Sequence, residues 1–424
     1  MTTRLTPIDA QTFWLAAKIP NDTFLLFGFV GGPADVARAV DGLQARARGC
    51  PELSVRVDDG GSWGYPRWVH RDVDRSQFVV HDLEERTWTA CLAAVGALVD
   101  DQLDATDTAW RLHVFADVDA LPGVDGPGTV AVLQISHALG GGGRTSAHAA
   151  LMFGRAEVDL PTIHPPSGGP ISLPLAGLRA ARAHRELTAD VDGGAVPAQA
   201  ELRPLLRTND RPSGPRSLRT VVRRRAELAD ATVTVAALSA VSAALAARLG
   251  ALGDDASTLG AEVPMTKPPP RLGYNHFGNV GVGLYPDLPA RDRLARIADD
   301  LAARRLRAGH RAMRAADLAF AATPARLLRW GMGAFDADVR PAAVTGNTVV
   351  SSVNCGAADF SFGGAPVALV TAFAGLSPMM GLTHVVGGVG DHVTIGVHAA
   401  ESALGGPGGV DEYVALLEAA LSAT

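Results

Sequence analysis

Residues 131–143 read Ala-Val-Leu-Gln-Ile-Ser-His-Ala-Leu-Gly-Gly-Gly-Gly. The apolar run before His137 predicts a buried strand, and the glycines from Gly140 to Gly143 predict a turn with exposed backbone directly after it. His137 therefore stands beside small residues that let a bulky substrate approach. A neutral imidazole can accept a proton from an attacking alcohol or amine, but a core histidine before an ordinary turn fits these residues equally.

Helix and strand patterns alternate on both sides of this stretch. Residues 36–43 and 92–103 carry apolar side chains at helical spacing, whereas residues 23–29 and 110–115 are rich in apolar and β-branched side chains. The alternation restarts after residue 215, so the sequence predicts an α/β protein. The first helix after the glycines is expected at residues 146–153, with Thr145 or Ser146 as its cap.

A change in composition predicts two domains. Residues 161–215 carry nine prolines and few β-branched residues, which is typical of an interdomain connection. We therefore expect an N-terminal domain at residues 1–160 and a C-terminal domain at residues 216–424. A chain of this length fits two domains, and we expect a ligand at their junction.

Charge and cysteine content exclude several classes of function. The 44 acidic and 38 basic residues leave a net charge of −6, so we expect no nucleic-acid partner. Cys50, Cys91 and Cys355 are too few and too widely spaced for a disulfide framework or a metal site. These features and an N-terminus without the pattern of a secretory signal favour a cytoplasmic protein. The uncharged segment of residues 360–390 is interrupted by glycines and a proline, which favours buried strands over a membrane-spanning helix.

Several short motifs follow one another along the whole chain. They are Leu5-Thr6-Pro7-Ile8-Asp9-Ala10, the segment from Leu103 to Leu112, Ala231-Thr232-Val233 with Ala236-Ala237-Leu238, Gly278-Asn279 with Leu288-Pro289 and Arg293-Leu294, and Val393-Thr394-Ile395-Gly396-Val397. This set resembles the bacterial wax ester synthase/diacylglycerol acyltransferase family, within the coenzyme A dependent acyltransferases that include chloramphenicol acetyltransferase and peptide synthetase condensation domains. The resemblance implies two chloramphenicol acetyltransferase-like domains with mixed sheets and an active-site channel at their interface.

The catalytic signature of that family, HHxxxDG, corresponds here to Ser136-His137-Ala138-Leu139-Gly140-Gly141-Gly142. His137 takes the place of the second histidine, which the resemblance implies is the general base. Ser136 replaces the first histidine and Gly141 replaces the aspartate. Because that aspartate holds the loop in the family, its loss bears on loop geometry more than on proton transfer.

The resemblance implies an O-acyltransferase that moves an acyl group from a thioester to a small-molecule hydroxyl or amine acceptor. The donor is acyl-CoA or an acyl group on the phosphopantetheine arm of an acyl carrier protein, and we predict no permanently bound cofactor. We expect backbone around Gly141 and Gly142 to shape the loop and to face the developing oxyanion. Ser136 and Asn279 are candidates to line the substrate site, with a local hydrogen bond for Ser136 and a turn cap for Asn279 as alternatives.

Two other functions stay open at this point. One is a free-standing condensation enzyme of a natural-product pathway. The other is a non-catalytic binding protein of the same fold, because the first histidine and the aspartate of the signature are both missing.

Metal binding and membrane contact are the remaining questions. His384, His392 and His398 lack the spacing of a ligand set, so we predict no metal site. Residues 304–314 and 326–330 are basic and partly amphipathic, which keeps peripheral contact with a membrane open.

Overall fold

A computed structural model describes residues 2–61, 63–165, 172–228 and 231–422. The strands are β1 (Thr3–Arg4), β2 (Thr23–Val30), β3 (Val55–Asp58), β4 (Arg67–His70), β5 (Phe78–His81), β6 (Trp110–Val118), β7 (Gly128–Ile135), β8 (Arg216–Arg224), β9 (Gly260–Thr266), β10 (Phe277–Gly283), β11 (Thr348–Asn354), β12 (Ser361–Phe362), β13 (Ala365–Phe373), β14 (Leu382–Val389) and β15 (His392–Ala400). The helices are α1 (Pro7–Ala16), α2 (Val36–Arg48), α3 (Trp88–Val99), α4 (Gly142–Met152), α5 (Ser172–Asp192), α6 (Val233–Ala251), α7 (Ala290–Ala308), α8 (Arg311–Ala321), α9 (Ala325–Ala334) and α10 (Gly409–Ser422).

The first large sheet has six strands in the order β12-β13-β2-β7-β6-β5. β5 pairs in parallel with β6, and the other neighbours are antiparallel. Side chains alternate across β2, so Leu25 and Phe27 join one core cluster with α2 and α4, whereas Phe24 and Leu26 join another with α3. Helices cover both faces of the sheet, so its central strands are buried on both sides, and every residue of β7 is buried.

The second large sheet also has six strands, in the order β10-β9-β11-β14-β15-β8. β11 is parallel to both of its neighbours, and the remaining pairs are antiparallel. Residues of α6, α7 and α10 share one core cluster with this sheet. A small third sheet contains β1, β4 and β3. The predicted α/β class with mixed sheets is therefore confirmed.

One segment links the two large sheets. Strands β12 and β13 follow β11 of the second sheet along the chain, yet β13 pairs with β2 of the first sheet from Val367↔Phe29 to Phe373↔Phe24. The predicted division at residues 1–160, 161–215 and 216–424 stays a prediction, and residues 166–171 of the predicted connection lie outside the described residues. Within that connection the structure has α5.

Helix α6 is long and apolar enough to cross a membrane by length and composition. Of its most apolar window, 67% is buried inside the protein, where it packs against the second sheet and α10. The strands expected at residues 360–390 are confirmed as β12, β13 and β14.

Candidate active site

His137 lies directly after β7, in a 3₁₀ turn at His137–Leu139 that leads into α4. The turn is held by the N–H of Gly140, which donates to the carbonyl oxygen of His137 at 3.1 Å. The imidazole packs beside the ring of Phe277 on β10, with 5.7 Å between the ring centroids. The residue in the turn after β7 of the first sheet therefore contacts β10 of the second sheet.

Two cavities meet at His137. The larger, of about 560 Å³, lies between the sheets and is lined by α4, β9, β10 and β11. The smaller, of about 210 Å³, is lined on its other side by the start of β2 and the end of β13. The residues that line both are His137, Gly142, Ser351, Val353, Ala374 and Gly375. An imidazole at such a junction can reach two substrates that enter from different sides.

The glycine stretch forms the start of a helix. Gly141 is the N-cap of α4, and the helix begins at Gly142, four residues before the predicted start, so the prediction of Thr145 or Ser146 as cap was wrong. The first N–H groups of a helix have no acceptor within it, and they carry the positive end of the helix dipole. Those of Gly142 and Gly143 belong to this first turn, and both residues line the larger cavity. This end of α4 offers donors to a developing negative charge.

Burial lowers the pKa of His137 below its ordinary value. Its own backbone carbonyl and the side chain of Asn275 oppose this shift by favouring the protonated ring, but burial has the larger effect. The imidazole is therefore neutral at pH 7, which is the form that accepts a proton.

The structure brings four of the five predicted site residues to the cavities and leaves one aside. Gly141 and Gly142 line the larger cavity with His137. Asn279 also lines it, within β10 and donating to Glu262, so the turn-cap alternative was wrong. Ser136 is buried and is not among the described residues that line either cavity, because neighbouring residues leave the chain in different directions.

Polar side chains form a cluster beside His137, and no sequence pattern predicts its pairing of Arg144 with Glu52. Arg144 on α4 pairs with Glu52 at 2.5 Å and stacks on the ring of Tyr274 at 3.8 Å. His148 pairs with the same Glu52 carboxylate at 2.9 Å and is not among the described residues that line the larger cavity. Burial raises the pKa of Glu52, but the hydrogen bonds and charges of His148 and Arg144 outweigh it, so the net shift is downward. This cluster anchors the helix that carries the glycines.

Two of the C-terminal histidines are core residues with neutral partners. His384 hydrogen-bonds with Tyr413 at 2.7 Å and Thr348 at 3.0 Å, and His398 with the carbonyl oxygen of Ala374 at 2.8 Å. Burial lowers the pKa of each to about 4. Within the described residues no group of three or more His, Cys, Asp or Glu side chains could hold a metal ion.

Solved structures identify the architecture around this site. The chain matches the wax ester synthase/diacylglycerol acyltransferase from Marinobacter aquaeolei VT8 over 99% of each chain, with a TM-score of 0.62 and 19% identity. This chain has the wax ester synthase fold. It also matches the starter condensation domain of rhizomide synthetase, in a variant bound to C8-CoA and Leu-SNAC, over 100% of this chain and 95% of that one. There the TM-score is 0.59 and the identity 14%.

The wax ester synthase fold confirms the resemblance inferred from the motifs. Because the identity is so low, it establishes the architecture and leaves the roles of single residues to be argued from their geometry. No protein-family model and no curated protein sequence matches the chain.

Proposed function

We propose that this protein transfers an acyl group from a thioester to a hydroxyl or amine acceptor, with His137 as the general base. One observation carries the proposal: a buried imidazole of lowered pKa lies where two cavities meet, beside the first turn of α4. Acyl transfer needs a base, an oxyanion site and access for two substrates, and this junction supplies all three.

In the proposed reaction the acceptor oxygen or nitrogen attacks the thioester carbonyl carbon while Nε2 of His137 takes its proton. The carbonyl oxygen becomes negative, and the N–H groups of Gly142 and Gly143 stabilise it. Collapse of this intermediate breaks the carbon–sulfur bond, and the departing thiolate takes the proton back from His137. The ring is thus regenerated without a permanently bound cofactor.

The donor class is the acyl thioester of CoA or of a phosphopantetheine arm on an acyl carrier protein. A slender arm of this kind fits a cavity of about 560 Å³ that reaches the base. The condensation domain matched by this chain is bound to C8-CoA and an amino acid thioester, and the other neighbour is a wax ester synthase. The bound C8-CoA supports a thioester donor, and the wax ester synthase favours a hydroxyl acceptor.

Thiol release tests the proposal. We expect free thiol when the protein is mixed with medium- or long-chain acyl-CoA and a panel of alcohols and amines, and more slowly when the acceptor is omitted. His137→Ala should lower the rate by about 10²- to 10⁴-fold, which is the usual contribution of a positioned base. His70→Ala is the matched control, because His70 is an exposed histidine on β4 that pairs with the exposed Asp72.

Full activity in His137→Ala would contradict the assignment of the base. Absence of turnover with both free acyl-CoA and a loaded carrier protein, together with a ligand retained in native mass spectra, would favour the non-catalytic alternative. Turnover with the carrier protein alone would favour the condensation enzyme.

Peripheral contact with a membrane stays a prediction, and it concerns the face formed by α9 and Trp63. On α9, Leu327 and Trp330 are 49% and 71% exposed, and the nearby Trp63 is 75% exposed with the guanidinium of Arg326 over its ring at 4.1 Å. Exposed aromatic and basic side chains together are typical of a lipid interface. Arg329 adds little charge to this face because it pairs with Asp59 at 2.6 Å.

A further inference from the structure

Asp9 has a fully buried side chain and lies outside the motif around His137. It lies in the first turn of α1 and accepts four hydrogen bonds from neutral donors, two on each oxygen. The donors are the hydroxyl of Thr6 at 2.6 Å, the N–H of Tyr274 at 3.0 Å, the N–H of Asn275 at 2.9 Å and the side-chain Nδ2 of Asn275 at 3.0 Å. Three of the four come from one loop.

The loop at residues 273–275 packs closely against the start of α1. A Cβ atom at Gly273 would lie 2.5 Å from Thr6 and 2.5 Å from Ile8, which is closer than side chains tolerate. Asp9 thus fixes the loop by hydrogen bonds, and Gly273 lets the backbone come near enough to make them.

Asn275 connects this carboxylate to the proposed base. Its Nδ2 donates to Asp9 and also to the carbonyl oxygen of His137 at 2.9 Å. Both partners are acceptors, so a flipped amide would place its oxygen against two oxygens. The orientation of Asn275 is therefore determined, and its Oδ1 remains as an acceptor.

Two buried side-chain atoms of these residues lack hydrogen-bond partners among the described residues. They are Oδ1 of Asn275 and Nδ1 of His137. The two residues contact each other, because Nδ2 of Asn275 donates to the His137 backbone. An acceptor and a ring nitrogen left unpaired in two contacting residues need an explanation, because most buried polar atoms are hydrogen-bonded.

We propose that Asp9 and Asn275 are positioning residues that hold His137 as its Nδ1–H tautomer, with Nε2 directed at the substrates. A small movement of the ring on substrate binding brings Nδ1–H to Oδ1 of Asn275. Asp9 then anchors the loop that carries Asn275. This proposal rests on His137 being the base of the proposed acyl transfer.

Kinetics and NMR on the full-length protein test it together. We expect Asn275→Ala to lower kcat by about 10- to 100-fold, a loss typical of a misplaced catalytic group, while KM for the acyl donor changes less than about threefold. Asp9→Asn should lower kcat in the same way. The double variant should be no slower than Asn275→Ala, because Asp9 acts through Asn275. In ¹⁵N spectra the His137 ring should be Nδ1–H in the wild type and a mixture of tautomers in both single variants.

Gln77→Ala is the control for loss of a buried amide. Gln77 donates to the carbonyl oxygen of Trp110 at 3.2 Å and is not among the described residues lining the cavities, so this variant should lose stability without a change of tautomer or kcat. If Asn275→Ala fails to fold, Asp9→Asn, which keeps the size of the side chain, supplies the same two readouts. An unchanged His137 tautomer in the folded variants, or strictly additive losses of kcat, would overturn the proposal. The tautomer is read without turnover, so a protein with no acyl transfer activity would refute the proposed function and still test the positioning.

Discussion

Gly141 and Gly142 are neighbours in the chain, but the space around them differs. A Cβ atom at Gly142 would lie 2.4 Å from Cγ2 of Val353, so β11 approaches the first turn of α4 too closely for any side chain there. A Cβ at Gly141 would lie 3.5 Å from Phe277 and 3.7 Å from His137, which is ordinary contact. Glycine at residue 142 is thus required by packing, whereas residue 141 has room for a side chain directed toward the base.

Restoring a carboxylate at residue 141 should therefore change the pH dependence of catalysis. In Gly141→Asp the new negative charge lies beside His137 and favours the imidazolium, so the pKa of His137 rises. Because only the neutral ring acts as base, the acidic limb of kcat/KM should move to higher pH. Activity at about pH 6 should fall relative to wild type while activity at about pH 8 is retained.

Gly141→Asn is the matched control for this change. Asparagine has nearly the same shape as aspartate without the charge. The acidic limb of kcat/KM in this variant should therefore lie at the same pH as in the wild type. An acidic limb that moves equally in the two variants would show that shape, not charge, determines the shift.

At the start of β2, a single carboxylate makes the first sheet sensitive to pH. Burial raises the pKa of Asp22 to about 6, although the N–H of Leu103 and the side chain of Gln134 donate to it at 2.7 and 2.8 Å. The folded protein thus binds this proton more tightly than the unfolded chain does. Stability is highest below the unfolded pKa and falls as the pH rises through about 6.

Asp22→Asn should remove this loss of stability with rising pH. The amide oxygen can accept both hydrogen bonds, because the two donors share one carboxylate oxygen. At about pH 8 we expect the free energy of unfolding of the variant to exceed that of the wild type by at most about 3 kcal/mol. Near pH 4 the variant and the wild type should have the same free energy of unfolding. Urea unfolding at both pH values measures this, and an equal difference at the two values would contradict the role of the charge.

Elements with strong local patterns were predictable, and those that depend on distant contacts were not. The apolar periodicity of α2 and α3 and the buried runs of β2, β7 and β13 sufficed to predict them. The first turn of α4 consists of glycines, which have low helix propensity, so its start was predicted four residues late. In the candidate site His137 was predictable only once its local frame was joined to the resemblance along the whole chain. The contact between Asp9 and Asn275 joins residues 266 positions apart, and no sequence pattern predicted it.

At the scale of the whole molecule, the pairing of β13 also depends on distant contacts that local sequence does not predict. Its apolar sequence predicts a buried strand but not its partner, since β2 lies more than three hundred residues earlier in the chain. Through this pairing the second half of the chain completes the first sheet. Gly375, which follows β13, and His137, which follows β7, line the same two cavities. The candidate site therefore depends on both halves being folded together.

Separate expression of the halves tests this dependence. Without β13, residues 1–165 would expose the hydrogen-bonding edge of β2 along with apolar side chains such as Phe29 that pack against Phe362. We expect this fragment to aggregate when expressed alone, whereas co-expression with residues 172–424 should yield a soluble complex that copurifies. Replacing Val370, a fully buried residue of β13, by Asp in the longer fragment should prevent that rescue while leaving the second sheet intact. A soluble, cooperatively unfolding fragment of residues 1–165 would show instead that the first sheet is complete without β13.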